Sequence, residues 1–203
     1  MMKKYLWHMY YSGMDTVDIN DQWFSERIGA IFCPECQGVM HPEKKCPDFI
    51  VEQRIPKNID MFFMSMCNHV GVMSLKFKNI LGEFSGNLNF GKIHVFNKMH
   101  DEVTHFAYTG KTPQVMIRGA LPALMDGLPV LDSDERRYCN VCGRKFHFER
   151  GARFIYDDEI PEVNISWTQF AGILFNSNVY DLLQGYKFRG IRLEKIEIKN
   201  RLS

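Results

Sequence analysis

Short stretches of alternating bulky and polar residues recur along this chain and predict β-strands. In residues 4–11, Tyr5, Trp7, Met9 and Tyr11 fall on one side of an extended strand. Similar short patterns predict further strands at 49–51, 61–64, 88–96, 103–108, 115–117, 146–148, 154–156 and 186–199. The last of these changes phase at Glu194 and Lys195, which predicts a β-bulge there.

Three short helices are predicted among these strands. One begins near Asp21, and a second spans 70–81, where apolar residues share one helical face and Gly82 is a suitable stop. The third spans 178–184, with Ser177 as its N-cap and Gly185 as its stop. Many short strands with few short helices indicate an α+β fold with a mainly antiparallel sheet.

The length of 203 residues fits a single domain covering 1–203, and the Gly-, Pro- and Asp-rich loop at 119–134 is the best candidate for an internal boundary. A helix–turn–strand pattern occurs twice, at 75–95 and at 179–198. A single sequence does not separate duplication from chance, and chance is the simpler explanation.

Charge and composition narrow the range of functions. The chain has 25 basic and 24 acidic residues, and this balance argues against a nucleic-acid partner. No apolar run approaches the length needed to span a membrane, and the apolar start of the chain lacks the features of a secretion signal. Six cysteines, four of them in Cys-x-x-Cys pairs, fit a reducing compartment, so we expect a cytoplasmic protein without a membrane partner.

Two Cys-x-x-Cys turns carry the most specific chemical signal in the sequence. Cys33 and Cys36 form the first, and Cys139 and Cys142, followed by Gly143, form the second. Each turn can direct two thiolates at one point, and two turns supply the four ligands of a tetrahedral, structural zinc site like that of a zinc ribbon. Coincidence and redox-active dithiols are the alternatives, but neither pair precedes an obvious helix, as a thioredoxin-like pair does.

A rival metal site lies within the first 46 residues. Cys33, Cys36, His41 and Cys46 have the spacing of a zinc knuckle, which is a nucleic-acid-binding module. This alternative leaves the second Cys pair without a role. It therefore remains the second hypothesis for the metal and implies a zinc-knuckle or zinc-ribbon nucleic-acid-binding protein.

No catalytic motif is recognisable, so we expect a protein that is not an enzyme. His100 and His105 are five residues apart, whereas the zinc-protease motif needs its two histidines four residues apart on a helix. A Gly-rich phosphate loop and a nucleophile-elbow motif are both absent from the sequence.

The order of these features resembles the double-Cys-x-x-Cys-Gly motif proteins, which are linked to bacterial polymorphic-toxin systems. The similarity rests on the early Cys33–Cys36 pair, the late Cys139–Cys142 pair and a C-terminal part running from Ile165 through a Ser-capped helix to a Gly-led strand. Gln37 replaces the first motif glycine, and Cys46 and Cys67 fall outside the pattern. The resemblance implies an immunity protein, or antitoxin, that bears structural zinc and binds and neutralises a cognate protein toxin.

An immunity protein needs a surface for its toxin, and acidic residues are the candidates here. One acidic stretch, at 132–135, precedes the second Cys pair, and another follows it. We predict a cationic partner surface that docks on the second stretch, with Trp167 or Phe170 as a buried anchor unless Trp167 belongs to the core. The acidic residues of this prediction are Asp157, Asp158, Glu159 and Glu162.

Overall fold

The computed structural model describes residues 6–11, 16–36, 38–40, 45–56, 58–65, 67, 70–99, 101–112, 115, 117–118, 137–142, 145–146, 153–168 and 172–201. The predicted boundary at 119–134 lies outside these residues. The α-helices are α1 (Asp21–Ser25), α2 (Leu75–Leu81) and α3 (Ser177–Leu183), and short 3-10 helices span Gly82–Asn87 and Asp157–Glu159. The strands are Leu6–Tyr11 (β1), Thr16–Val17 (β2), Phe49–Val51 (β3), Met61–Met64 (β4), Gly71–Ser74 (β5), Leu88–Val95 (β6), His105–Gly110 (β7), Arg137–Tyr138 (β8), Lys145–Phe146 (β9), Phe154–Tyr156 (β10), Ile165–Trp167 (β11), Ile173–Phe175 (β12) and Ile191–Lys199 (β13).

Two curled sheets contain most of these strands. Sheet 1 has the strand order β2-β4-β5-β7-β6-β3, and sheet 2 has the order β10-β13-β1-β12-β11. Most neighbouring strands are antiparallel, but β3 pairs in parallel with β6, β2 with β4, and β10 with β13. The predicted α+β fold with a mainly antiparallel sheet and a few short helices is confirmed.

Each sheet is closed by a short segment that contacts both of its edges. In sheet 1, β2 pairs with β4, and Ile19, two residues after β2, bridges to Val51 in β3. In sheet 2, Val115 bridges to Thr168 just after β11, and Arg118 bridges to Phe154 in β10. Residues 16–19 in sheet 1 and residues 115 and 117–118 in sheet 2 therefore have the same role.

The two sheets have the same spatial order of strands and the same register, although the equivalent strands β7 and β1 differ in chain order: β7 follows β6, whereas β1 precedes all other strands of sheet 2. Met73 of β5 pairs with Phe106 of β7, which pairs with Lys92 of β6. The matching positions of sheet 2 are Phe175 of β12, Trp7 of β1 and Lys195 of β13. A helix follows each of the equivalent strands β5 and β12, so the helix–turn–strand pattern that occurs twice in the sequence lies in equivalent parts of the two sheets. In chain order, both Cys-x-x-Cys turns lie between the closing segment and the next strand of their sheet.

Three apolar clusters stabilise this arrangement. One packs sheet 1 against α1, and a smaller one lies along sheet 2 with Val115 and Ile117. The third cluster contains side chains from both sheets and from the helices α2 and α3. This third cluster contains Met9, Met61, Met73, Phe77, Leu81, Leu88, Tyr108, Ile165, Trp167, Ile173, Phe175, Val179 and Leu183.

Some element boundaries differ from the sequence predictions. Residues Gly71–Ser74 form β5, and α2 begins only after Ser74, whose side chain accepts the Phe77 N–H. Gly82 ends this helix with φ 48°, as predicted. Asn176, not Ser177, caps α3. The predicted bulge in β13 is wrong, because residues 191–196 pair one-to-one with β1.

Candidate metal centre

The first Cys-x-x-Cys turn lies at the end of a short hairpin that follows α1. Phe32 bridges to Val39, the Met40 N–H donates to the Ile31 carbonyl, and the Cys33 N–H donates to the Gly38 carbonyl at 2.8 Å. These backbone bonds fold residues 31–40 back on themselves, so Cys33 and Cys36 are presented at one end. We call residues 31–40 the metal hairpin.

The second turn is held by the two-stranded sheet of β8 and β9. Their antiparallel pairing aligns Arg137 with Phe146 and Tyr138 with Lys145. Cys139 and Cys142 therefore lie in the connection between two paired strands. Both turns are thus fixed by local backbone pairing, which reduces the freedom of each pair of thiols.

The four thiols meet at one point. The Sγ atoms of Cys33 and Cys139 are 3.5 Å apart, those of Cys36 and Cys142 are 3.6 Å apart, and all four lie within 4.8 Å of one another. A tetrahedral zinc with bonds of about 2.3 Å requires sulfur separations of roughly 3.8 Å, whereas a disulfide requires about 2.05 Å. All six cysteines of the chain are free. The four thiols can therefore hold one metal ion, as the Cys-x-x-Cys spacing predicts.

Backbone N–H groups in both turns point toward the sulfur atoms. Burial raises the pKa of the Cys33 thiol, but hydrogen bonds from the backbone of Cys36 and Glu35 and from neighbouring thiols outweigh it and lower the pKa to about 7. Burial raises the pKa of Cys139, against opposing hydrogen bonds from the backbone of Cys142 and Val141. Such N–H donors stabilise thiolates, which are the form that binds metal.

Glu35 links the two turns directly. Its Oε2 atom accepts the Val141 N–H at 3.3 Å and lies 3.3 Å from the Cys139 Sγ. Glu35 is not among the predicted site residues, although a carboxylate between two candidate ligands was an available signal in the sequence. Cys33 and Cys139 are buried and the other two thiols are half-buried, so a metal held by them would lie close to the surface.

The structure separates Cys46 from this group. Cys46 is fully buried in the core cluster of sheet 1. Burial raises the pKa of its thiol to about 12, although hydrogen bonds from Thr109 and Gly91 oppose the shift. A protonated thiol in an apolar core is a poor metal ligand. The fourth member of the rival zinc knuckle, His41, lies outside the described residues.

The predicted partner residues have different environments. Glu159 accepts hydrogen bonds from both terminal nitrogens of Arg118 and pairs with Arg201, which also contacts Asp158 at 3.3 Å. Asp157 and Asp158 are exposed, and Glu162 is exposed nearby. Part of the acidic charge is therefore compensated within the chain. The prediction that a partner docks on these acids stays a prediction.

Trp167 is a core residue in the structure. Its side chain is 1% exposed, lies in the cluster shared by both sheets and donates its indole N–H to the Thr112 carbonyl at 2.7 Å. It is therefore not accessible as a partner anchor, and the alternative that it belongs to the core is the correct one. The other candidate anchor, Phe170, lies outside the described residues, as does the acidic stretch at 132–135.

Comparison with known proteins does not assign the chain to a family. No family model and no curated protein matches the chain. Among the described helices, none combines the length and the apolar character that crossing a membrane requires.

Proposed function

We propose that this chain is a cytoplasmic immunity protein that binds and neutralises a cognate bacterial toxin and carries one structural zinc ion. The observation that supports the proposal is the four-thiol cluster, which joins two turns separated by 102 residues. The order of these turns resembles that of the double-Cys-x-x-Cys-Gly proteins of polymorphic-toxin systems.

Zinc is the metal that this donor set suits best. Four soft thiolates in a tetrahedral arrangement favour zinc or an iron–sulfur centre, and paired Cys-x-x-Cys turns are typical of structural zinc sites. Cys33, Cys36, Cys139 and Cys142 would hold the ion, and the N–H groups of both turns would support their thiolate form.

A zinc ion with four protein ligands has no open coordination position for a substrate or for an activated water. In this proposal the metal therefore fixes the shape of a binding surface and takes no part in a reaction. The protein's effect on its partner would come from contact alone, which is the mode of action expected of an immunity protein.

The test is protection of cells from a toxin. The toxin gene next to this gene in its native genome is expressed under an inducible promoter, with or without this chain. We expect growth only when the chain is present, and co-purification of the two proteins. Cell death despite normal levels of the chain, or binding of nucleic acid with a steep salt dependence, would contradict the proposal and favour the nucleic-acid alternative.

A further inference from the structure

An open groove of about 670 Å³ lies alongside the metal hairpin. Ile31 of the hairpin lines it together with Trp23 of α1 and Ile50 of β3. Trp23 is buried and the two isoleucines are half-buried. Met99, which is 44% exposed, also lines the groove. A cavity of this volume accommodates a few side chains of a bound segment.

Basic groups outnumber acidic ones among the described residues that line this groove. Arg27 and Lys45 contribute cationic side chains, His94 contributes an imidazole, and Asp48 contributes a carboxylate. The Asp48 carboxylate already accepts the Lys92 backbone N–H at 2.7 Å. In the part of the chain that the structure describes, Lys45 makes no ion pair. The groove therefore combines an apolar lining with cationic groups that a carboxylate could pair with.

Arg27 is held in place before any partner arrives. Its guanidinium lies 4.5 Å from the centre of the Trp23 ring. Its Nη1 donates to the Trp23 carbonyl at 3.0 Å and forms an ion pair with the Glu26 carboxylate at 3.3 Å. Within the described residues, no acceptor is bonded to its Nε or Nη2. A fixed guanidinium with unused donors binds a carboxylate at a lower entropic cost than a freely rotating one.

We propose that this groove is the docking site for a segment of the toxin in which a bulky apolar side chain lies next to a carboxylate. The apolar side chain would pack against the accessible lining residues Ile31, Ile50 and Met99, and the carboxylate would pair with Arg27 or Lys45. A single-stranded nucleic acid fits less well, because the indole of Trp23, at 6% exposure, offers no free face on which a base could stack. The inference rests on the proposed function for the identity of the partner.

The groove is also coupled to the metal centre. Ile31 and Val39, which both line it, lie on the two sides of the metal hairpin, whose end carries Cys33 and Cys36. Metal bound between these cysteines and the second turn would fix the hairpin and with it one wall of the groove. Removing the zinc should therefore weaken binding of the segment, even though the metal does not touch it.

The experiment uses the full, zinc-loaded chain and a random heptapeptide library displayed on phage. Peptides are selected on the wild-type chain and then tested on the double variant Lys45→Glu, Met99→Glu. We expect enriched peptides to place an aromatic or large aliphatic residue beside Asp or Glu, and to bind the variant at least about tenfold more weakly. Both substituted side chains are exposed, so folding should be preserved.

The matched control is the double variant Lys187→Glu, Leu193→Glu, which makes the same changes in charge at exposed positions that do not line the groove. It should bind the selected peptides as the wild type does. Equal binding to the groove variant, or no common pattern among the peptides, would overturn the inference. So would a short single-stranded RNA that binds the wild type and not the groove variant.

Cell protection and binding of the toxin to the groove variant distinguish failure of this inference from failure of the proposed function. If the chain protects cells and the groove variant binds the toxin with the wild-type affinity, the groove is not the docking site and the immunity function stands. If the chain gives no protection but the selected peptides depend on the groove, the proposed function fails and the groove remains a site for apolar, acidic segments of another protein.

Discussion

Replacing Cys139 by serine removes one of the four thiols that join the two halves of the chain. A metal held by all four thiols would close a loop of 102 residues between Cys36 and Cys139. A cross-link around a loop of about 100 residues restricts the unfolded chain by roughly 4.7 kcal/mol. For a protein of this size, one kcal/mol corresponds to about 2–4 °C in Tm. Loss of the metal link should therefore lower Tm by roughly 10–20 °C.

The assay pairs metal content, measured by mass spectrometry after equilibration with a weak chelator, with thermal unfolding followed by circular dichroism. We expect Cys139→Ser to lose the metal and the stability together, because structural sites contribute folding free energy through their ligands. His41→Ala is the control and should change neither. The reasoning is refuted if Cys139→Ser keeps one zinc and the wild-type Tm, or if His41→Ala strips the metal.

Three further predictions test the core and the partner surface. Burial, helped by the charge of Arg153, lowers the pKa of His8 to about 3. The free energy of unfolding should therefore be fully retained above about pH 6.5 and be about 2 kcal/mol lower at pH 5. In urea unfolding, His8→Gln should lose less free energy between these pH values than the wild type, and an equal loss would contradict this. Gly110→Ala would place its Cβ 1.9 Å from the Trp167 ring and should lower the free energy of unfolding, measured in urea, by about 1–3 kcal/mol. Gly86→Ala, whose Cβ would meet open space, should leave that free energy unchanged. Reversing the charge of Asp157 should slow association with the toxin in stopped-flow measurements at low salt, and an unchanged rate would place the interface elsewhere.

The cluster of four thiols could be predicted because part of its signal is local. A Cys-x-x-Cys turn brings two thiols together through four consecutive residues, whatever the rest of the fold does. How the two turns meet is not local. It depends on closing segments such as Val115 and Arg118, which contact strands far away in the sequence, and on parallel pairs such as β3 with β6. The sequence of a single short apolar strand does not indicate whether the neighbouring strand runs parallel or antiparallel to it.

Burial on both faces explains most of the remaining errors. All four residues of Gly71–Ser74 are buried, so their apolar pattern suits a strand as well as the start of a helix. Ser74 then begins the helix by capping it, a signal that was present in the sequence but outweighed by the apolar run. Trp167 could be assigned to a partner or to the core from composition alone, and only the packing against both sheets decides for the core.

X-ray absorption spectroscopy at the zinc edge of the purified, zinc-loaded chain tests the central claim most directly. That claim is that one zinc joins the two Cys-x-x-Cys turns through Cys33, Cys36, Cys139 and Cys142. We predict a shell of four sulfur atoms at about 2.3 Å. A shell that includes an imidazole nitrogen at about 2.0–2.1 Å would contradict the account and favour the zinc knuckle containing His41.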